Sequence, residues 1–458
     1  MSENQKNQRP PEVRKRAVRD IPEMKGKRPD TATSGRRPAP KRDIPQNQRA
    51  LQRRDEASTS LVQLFKKNAL MRSRKKDAEW EATPIVRQRH GVDRPMLVII
   101  LILLCLGTVM VFSASYPNAL HEKNDSLYYI KRQLLYVAIG ALAMLITTAA
   151  PYQLYKKIAP SFTIGGIGLL VLVLIMGTAR GVAQRWIYIG PISVQASEPA
   201  KAALIITLAW YLDKHYDAVS GRINKYQRFM KGIVMPGVIV AVFAGLVILE
   251  KHLSGAIILG LIGVAVIFMS GADFVKMLLS YGIPAGLAGL VYLFTNDYAM
   301  QRILTHRDDN ADVLAEAWQT TQGLYAIGSG GLLGMGLGES NLKYNYVSEA
   351  HNDFIFTIWC EELGLVGALL LICLYGFFVW RGMTIARKAP DTFSSLAAFG
   401  ITFQVGIQAA LNILVVTDLI PNTGVSLPFF SYGGSALIII MAEMGILLSI
   451  SRHSYQKK

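Results

Sequence analysis

Residues 353–380 read DFIFTIWCEELGLVGALLLICLYGFFVW. From Phe354 to Trp380 the run is almost wholly apolar. At about 1.5 Å of rise per residue it is long enough to cross a bilayer as a helix. Asp353 stands at the mouth of that helix, and Tyr346–Asn352 (YVSEAHN) bring Glu349 and His351 beside it. A carboxylate at membrane depth is costly and by default marks function. Capping of the helix dipole is the plainer alternative. Glu361 and Glu362 lie one or two turns further down, where charges should face the bundle interior and pair.

Working outward, ten apolar spans are expected at about 95–114, 132–150, 160–178, 199–213, 232–249, 254–270, 275–295, 353–380, 392–415 and 428–451. The fourth is short and amphipathic. The expected fold is an all-α polytopic membrane protein of about ten transmembrane helices, with a large extracytoplasmic loop, 296–352, between spans 7 and 8. That loop holds Gly323, Gly328, Gly330, Gly331, Gly334, Gly336 and Gly338 among Leu324, Ile327, Leu332, Leu333 and Leu337. It is too apolar for disorder and reads as a folded or re-entrant segment, tolerated where protein covers its backbone.

The chain is 458 residues long, with a net charge of +17. Residues 1–92 hold 24 Lys/Arg and 11 Asp/Glu, so they carry +13 of it. Nucleic acid is the first thought for a basic protein. Here the basic segment leads straight into a membrane helix, so a membrane-surface role fits better and no nucleic-acid partner is expected. Residues 1–60 read as disordered. Residues 61–80 read as an interfacial amphipathic helix or a solvated basic linker, and 93–458 as the membrane domain. The polar first ninety residues make the first apolar helix an internal signal-anchor. Inner loops carry Lys156, Lys157, Lys214, Arg222, Lys225, Arg228, Lys231, Arg381, Arg387 and Lys388, which with the even span count puts both termini in the cytoplasm. Cys105, Cys360 and Cys373 read as small buried hydrophobes.

Four polar clusters fall on the outer side of this map. The first is Arg180 to Gly190, with Arg185 and Trp186, followed by Gln195-Ala196-Ser197-Glu198-Pro199-Ala200-Lys201. Arg185 and Lys201 could meet phosphate oxygens, and Glu198 and Lys201 share a helical face. The second is Glu250-Lys251-His252-Leu253-Ser254, a tight charged turn that suggests a network with a neighbour. The third is the outer loop, with Arg302, His306, Arg307, Asp308, Asp309 and Glu349–Asp353. Asp308, Asp309 and Asp312 lack the pattern of a calcium loop and read as a solvated acidic turn. The fourth runs from Leu419 to Ser435, where Pro421, Pro428 and Gly433-Gly434 interrupt an apolar stretch and favour an unwound segment beside a cavity. No nucleotide-binding loop, CxxC pair, HExxH or nucleophile elbow is present.

These motifs together resemble the shape, elongation, division and sporulation family of FtsW, RodA and SpoVE, over about 95–455. They are Arg185-Trp186-Ile187, Gln195–Glu198, Gly328–Gly331 with Gly334, Gly336 and Gly338, Glu349–Phe356, Glu361-Glu362-Leu363-Gly364, and Leu427-Pro428 with Ser431–Ser435. The family often has Pro where Ala196 stands and Thr where Asn352 stands. Its Pro-Asp-Leu-Gly element stands here as Lys251-His252-Leu253-Ser254. The resemblance implies a bacterial cytoplasmic-membrane glycosyltransferase that polymerises lipid II into peptidoglycan, in division, elongation or sporulation. It implies a class B penicillin-binding transpeptidase and other division or elongation proteins as partners. Asp353 matches the family's essential Asp, the candidate general base. Glycan extension also needs cationic help for a departing pyrophosphate, from Arg185, Lys201, Arg302 or a divalent cation, Mg or Mn. Trp186, Gln195, Ser197, Glu198, Glu349, His351 and Ser431 complete the candidate substrate-binding set. A lipid II flippase and a non-catalytic division scaffold are the competing readings. A transporter would concentrate polar residues near the midplane, whereas these cluster on one side.

Overall fold

The computed structural model describes residues 91–180, 183–189, 192–219, 224–295, 300, 318–344 and 346–454. The basic tail, the 61–80 stretch, Arg302 and the 306–309 cluster lie outside the described residues, as does the Arg185 side chain. In chain order the main elements are α1 (Arg94–Lys123), α2 (Tyr128–Ala149), α3 (Tyr152–Met176), β1 (Thr178–Arg180), β2 (Ala183–Ile189), β3 (Ile192–Gln195), α4 (Ser197–Lys214), α5 (Lys225–Leu249), α6 (Leu253–Met269), α7 (Phe274–Thr295), α8 (Trp318–Ser329), α9 (Ile355–Lys388), α10 (Thr392–Val416) and α11 (Gly434–Arg452).

Among the described residues eight helices are long and apolar enough to cross a membrane: α1, α2, α3, α5, α7, α9, α10 and α11. The shorter apolar α6 and α4 fall on the two remaining expected spans; α4 is not the amphipathic helix expected, because Ala203 to Ala209 are buried in succession all round it. The chain is a multi-pass helical membrane protein. Its three strands form one antiparallel sheet in the order β1-β2-β3, with Trp186 paired to Gln195. Aromatic and β-branched residues at 186–189 favour that extended form over helix.

The ends of the described chain meet. Asp93 N–H donates to Ser451 Oγ at 3.1 Å, and the Asp93 carboxylate takes a forked pair of bonds from Arg381 at 2.7 and 2.9 Å. Lys156 joins the same face, 2.6 Å from Asp213 and 3.6 Å from Asp391. Asp353, at the other end of α9 from Arg381, therefore lies on the opposite face.

Two expectations are corrected. Asp353 does not open the helix itself, because residues 349–354 fold as successive turns and α9 starts at Ile355. Glu349 takes a left-handed backbone (φ 55°), and its carbonyl accepts from Asn352 N–H at 2.9 Å. Of the three cysteines only Cys360 is buried, while Cys105 and Cys373 are exposed. On a lipid-facing helix an apolar residue needs no protein cover, so apolar sequence context does not predict burial there.

The Gly-rich segment after α8 is built into α9. Gly364 (φ 65°) breaks the helix about 14 Å below its start. A broken ladder in an apolar medium would strand backbone groups at several kcal/mol each. Here the loop supplies partners: Met335 and Gly336 N–H donate to Glu361 and Glu362 O, both at 3.0 Å. Leu365 and Val366 N–H donate to Gly331 and Leu332 O at 2.9 and 3.1 Å. The approach needs glycine on both sides. A Cβ on Gly334 (φ 82°) would lie 2.1 Å from Glu362 O, and one on Gly364 would lie 2.4 Å from Gly334 N.

Candidate active site

Glu361 and Glu362 face the interior as expected; Glu362 pairs with a cation, whereas Glu361 is held by a hydroxyl and backbone N–H groups. Both are fully buried. Glu361 accepts from Ser340 Oγ at 2.5 Å and from Asn341 and Leu342 N–H at 3.0 and 3.3 Å. Glu362 accepts from Ser113 Oγ at 2.5 Å and from the buried Lys343 ammonium at 3.1 Å. Val347 N–H then donates to Leu342 O at 3.0 Å. The loop that carries Glu349, His351 and Asp353 thus hangs from a segment clamped to α9.

The 417–433 loop holds that segment from the other side. Asn412, near the end of α10, donates its amide to the carbonyls of Asp353 and Val425, both at 2.7 Å. Ser431 Oγ donates to Asn352 O at 2.7 Å, and Tyr432 N–H donates to His351 O at 2.9 Å. Gly424 is left-handed (φ 64°) and faces the Asp353 carboxyl, where an added Cβ would lie 3.2 Å from Oδ2. Gln319 on α8 donates to Ser348 O at 2.9 Å and accepts from Asn422 at 3.2 Å. Ser254 Oγ reaches Thr423 O at 2.5 Å, so the charged turn at 250–254 does meet a neighbour, and that neighbour is the active-site loop. Asp353 itself is half-buried, with its backbone carbonyl held by Asn412.

An aromatic group closes the site on the α2 side. The ring of Tyr129 lies 4.5 Å from His351 and 5.1 Å from Tyr432, and His351 lies 5.8 Å from Tyr432. Burial pulls the His351 pKa below its ordinary value, against the pull of the Glu349 and Glu122 carboxylates. Burial also raises the Tyr432 hydroxyl, while Arg132 beside it favours the ionised form. Arg132 stands 4.4 Å from the Tyr128 ring centroid.

The first cluster is joined less directly. Gln195 N–H donates to Ser435 Oγ at 3.2 Å, one turn past Ser431, and Trp186 is half-buried on β2. Ser197, Glu198 and Lys201 are buried, and the Lys201 ammonium sits 2.9 Å from Glu198. Glu443, bonded to Gln404 at 2.8 Å, is close enough to both to feel their charge. Lys201 is therefore already neutralised, which lowers its worth as a phosphate ligand. Among the described residues no three His, Cys, Asp or Glu side chains converge as a metal ion would require.

Residues 94–456 match the FtsW/RodA/SpoVE family profile, described as a cell cycle protein. The chain belongs to this family. It is 37% identical over 370 residues to a probable peptidoglycan glycosyltransferase FtsW of Geobacter sp. strain M18, covering 80% of this chain and 98% of that one. It is 37% identical over 371 residues to stage V sporulation protein E of Bacillus subtilis strain 168, covering 80% and 99%. A solved chain from a peptidoglycan synthase complex that coordinates polymerization and crosslinking superposes at a TM-score of 0.65 with 25% identity, over 80% of this chain and 99% of that one. The rod shape determining protein RodA of Thermus thermophilus superposes at 0.59 with 26% identity, over 80% and 98%.

Within this FtsW/RodA/SpoVE chain, sequence reading missed Asn412, Lys343, Tyr129 and Arg132 as parts of the site. Asn412 and Lys343 left a signal: one is an amide in an apolar span, and the other is the cation two buried glutamates demand. Tyr129 and Arg132 left none, since aromatic and basic residues at a span's edge are ordinary interface residues.

Proposed function

We propose that this chain is a peptidoglycan glycosyltransferase that polymerises lipid II at the outer face of the cytoplasmic membrane. Both termini are cytoplasmic, and it works beside a class B penicillin-binding transpeptidase. The observation that carries the reading is Asp353: a half-buried carboxylate at the mouth of a span, its backbone fixed by Asn412 and its carboxyl facing Gly424. The FtsW relative's name and the neighbouring synthase complex support the activity and the pairing with a crosslinking enzyme.

The chemistry follows from what the site can do. Asp353 takes the proton of the acceptor sugar hydroxyl. The freed oxygen attacks the anomeric carbon of the donor. The bond from that carbon to the pyrophosphate oxygen breaks, and its electron pair leaves with the lipid pyrophosphate. The fixed loop spares reorganisation during reaction. The buried Glu198–Lys201 and Gln404–Glu443 pairs are what a lipid II transporter would also display. Purified protein incubated with lipid II, with and without its class B partner, separates the two. Polymer supports the glycosyltransferase, and translocation without polymer supports the transporter.

A further inference from the structure

We propose that Arg132 is the cation that receives the departing pyrophosphate. This rests on the glycosyltransferase reading. Negative charge develops on the leaving phosphoryl oxygen in the transition state, so a cation placed there lowers the barrier. Several of the other described cations are committed elsewhere, and Lys123, at the end of α1, stands further from the Tyr128 ring, at 5.9 Å. Lys201 is buried against Glu198 at 2.9 Å. Lys343 is held by Glu362 at 3.1 Å inside the α9 clamp. Lys131 pairs with Asp125 at 2.9 Å, and Arg381 serves the opposite face. Arg132 is exposed, and no ion pair within 4.0 Å joins it to a carboxylate among the described residues. Its neighbours are the Tyr128 ring and the Tyr432 hydroxyl.

The placement fits the reaction. Arg132 is one turn into α2, on the face that carries Tyr129 and Tyr136. Tyr432 beside it is bonded through its backbone to His351, and Ser431 is bonded to Asn352, the residue before Asp353. Arg132, through Tyr432, and Asp353 are thus both tied to one short segment, His351–Asp353. The first turn of a span is headgroup depth, where the pyrophosphate of a lipid-linked sugar rides while its chain lies in the bilayer. A guanidinium offers the forked donors that phosphate oxygens match. When the bond to the anomeric carbon breaks, the electron pair arrives on an oxygen facing these donors, and the acceptor proton is on Asp353.

The test uses the full chain with its class B partner, lipid II as substrate, and undecaprenyl pyrophosphate or monophosphate as product-side probes. Arg132→Ala should lower kcat/KM about 10²-fold. It should weaken inhibition by the pyrophosphate more than by the monophosphate, with Arg132→Lys recovering part of both. Arg132→Gln keeps length and hydrogen bonding to Tyr432 without charge, so it reports even where Ala does not fold. Lys131→Ala should stay within about twofold of wild type. Folded Arg132→Gln with wild-type turnover and wild-type pyrophosphate inhibition overturns the assignment. Wild-type protein that makes no polymer overturns the reading beneath it instead.

Discussion

Replacing Gly334 with alanine tests whether the Gly-rich loop is part of α9. Gly334 holds a left-handed backbone, φ 82°. A non-glycine residue there costs about 1–3 kcal/mol. Its Cβ would also lie 2.1 Å from Glu362 O and 2.4 Å from Glu362 C, both backbone atoms of a buried helix that cannot swing aside. Forced overpacking adds about 1–3 kcal/mol. The sum is about 2–6 kcal/mol, on the order of 5–20 °C in Tm at the scale of larger domains. Relief by detaching the loop would free the Met335 and Gly336 N–H groups from α9, so it offers no cheap escape. Gly328 is the control, since its Cβ would meet nothing within 4 Å and it lies in α8. Gly328→Ala should be neutral or stabilise by about 0.5–1 kcal/mol. Thermal unfolding in detergent and lipid II polymerisation read both variants. A Gly334→Ala protein with wild-type Tm and activity would refute the built-in loop.

Other outcomes follow from the same geometry. Lys343→Met leaves Glu362 buried without its cation and should cost about 3–5 kcal/mol, with Lys343→Met/Glu362→Gln regaining much of it; equal losses in single and double variants contradict the pairing. His351 has a folded pKa lowered by burial, so the unfolded chain binds the proton more readily; the stability it contributes is present above pH 6.5 and is lost as pH falls through the lowered value. His351→Gln should flatten that acid limb of a Tm-against-pH curve, and an unchanged limb assigns it to other groups. A cysteine near Asp309 should react with an impermeant thiol reagent on intact protoplasts, and one near Arg222 should not; the opposite labelling inverts the membrane orientation.

The ten apolar runs were legible because span length and hydropathy are properties of single segments. The carboxylate at the head of α9 was legible for the same reason, since burying charge is costly wherever the helix packs. The break at Gly364 was not. It depends on Gly331–Gly336 folding back to donate and accept across a gap of about thirty residues, and nothing local distinguishes Gly364 from a packing glycine. The sheet at 178–195 lies in a stretch that read only as a polar cluster. Lys201 shows the converse limit: its spacing from Glu198 forecast the ion pair, but not that burial would confine its charge there. Arg132 gained its significance only when Tyr432, three hundred residues away in the chain, was placed beside it.

The account turns on Asp353 as the group that takes the acceptor proton. The most direct measurement compares glycan polymer made from lipid II by wild type, Asp353→Asn and Asp353→Ala, each shown to insert and fold. Thermal unfolding of each checks that the fold persists, since Asn412 holds the backbone carbonyl of residue 353 whichever side chain stands there. Both variants should make no detectable polymer. Near-wild-type polymer from folded Asp353→Ala would contradict the general-base assignment and the central claim with it.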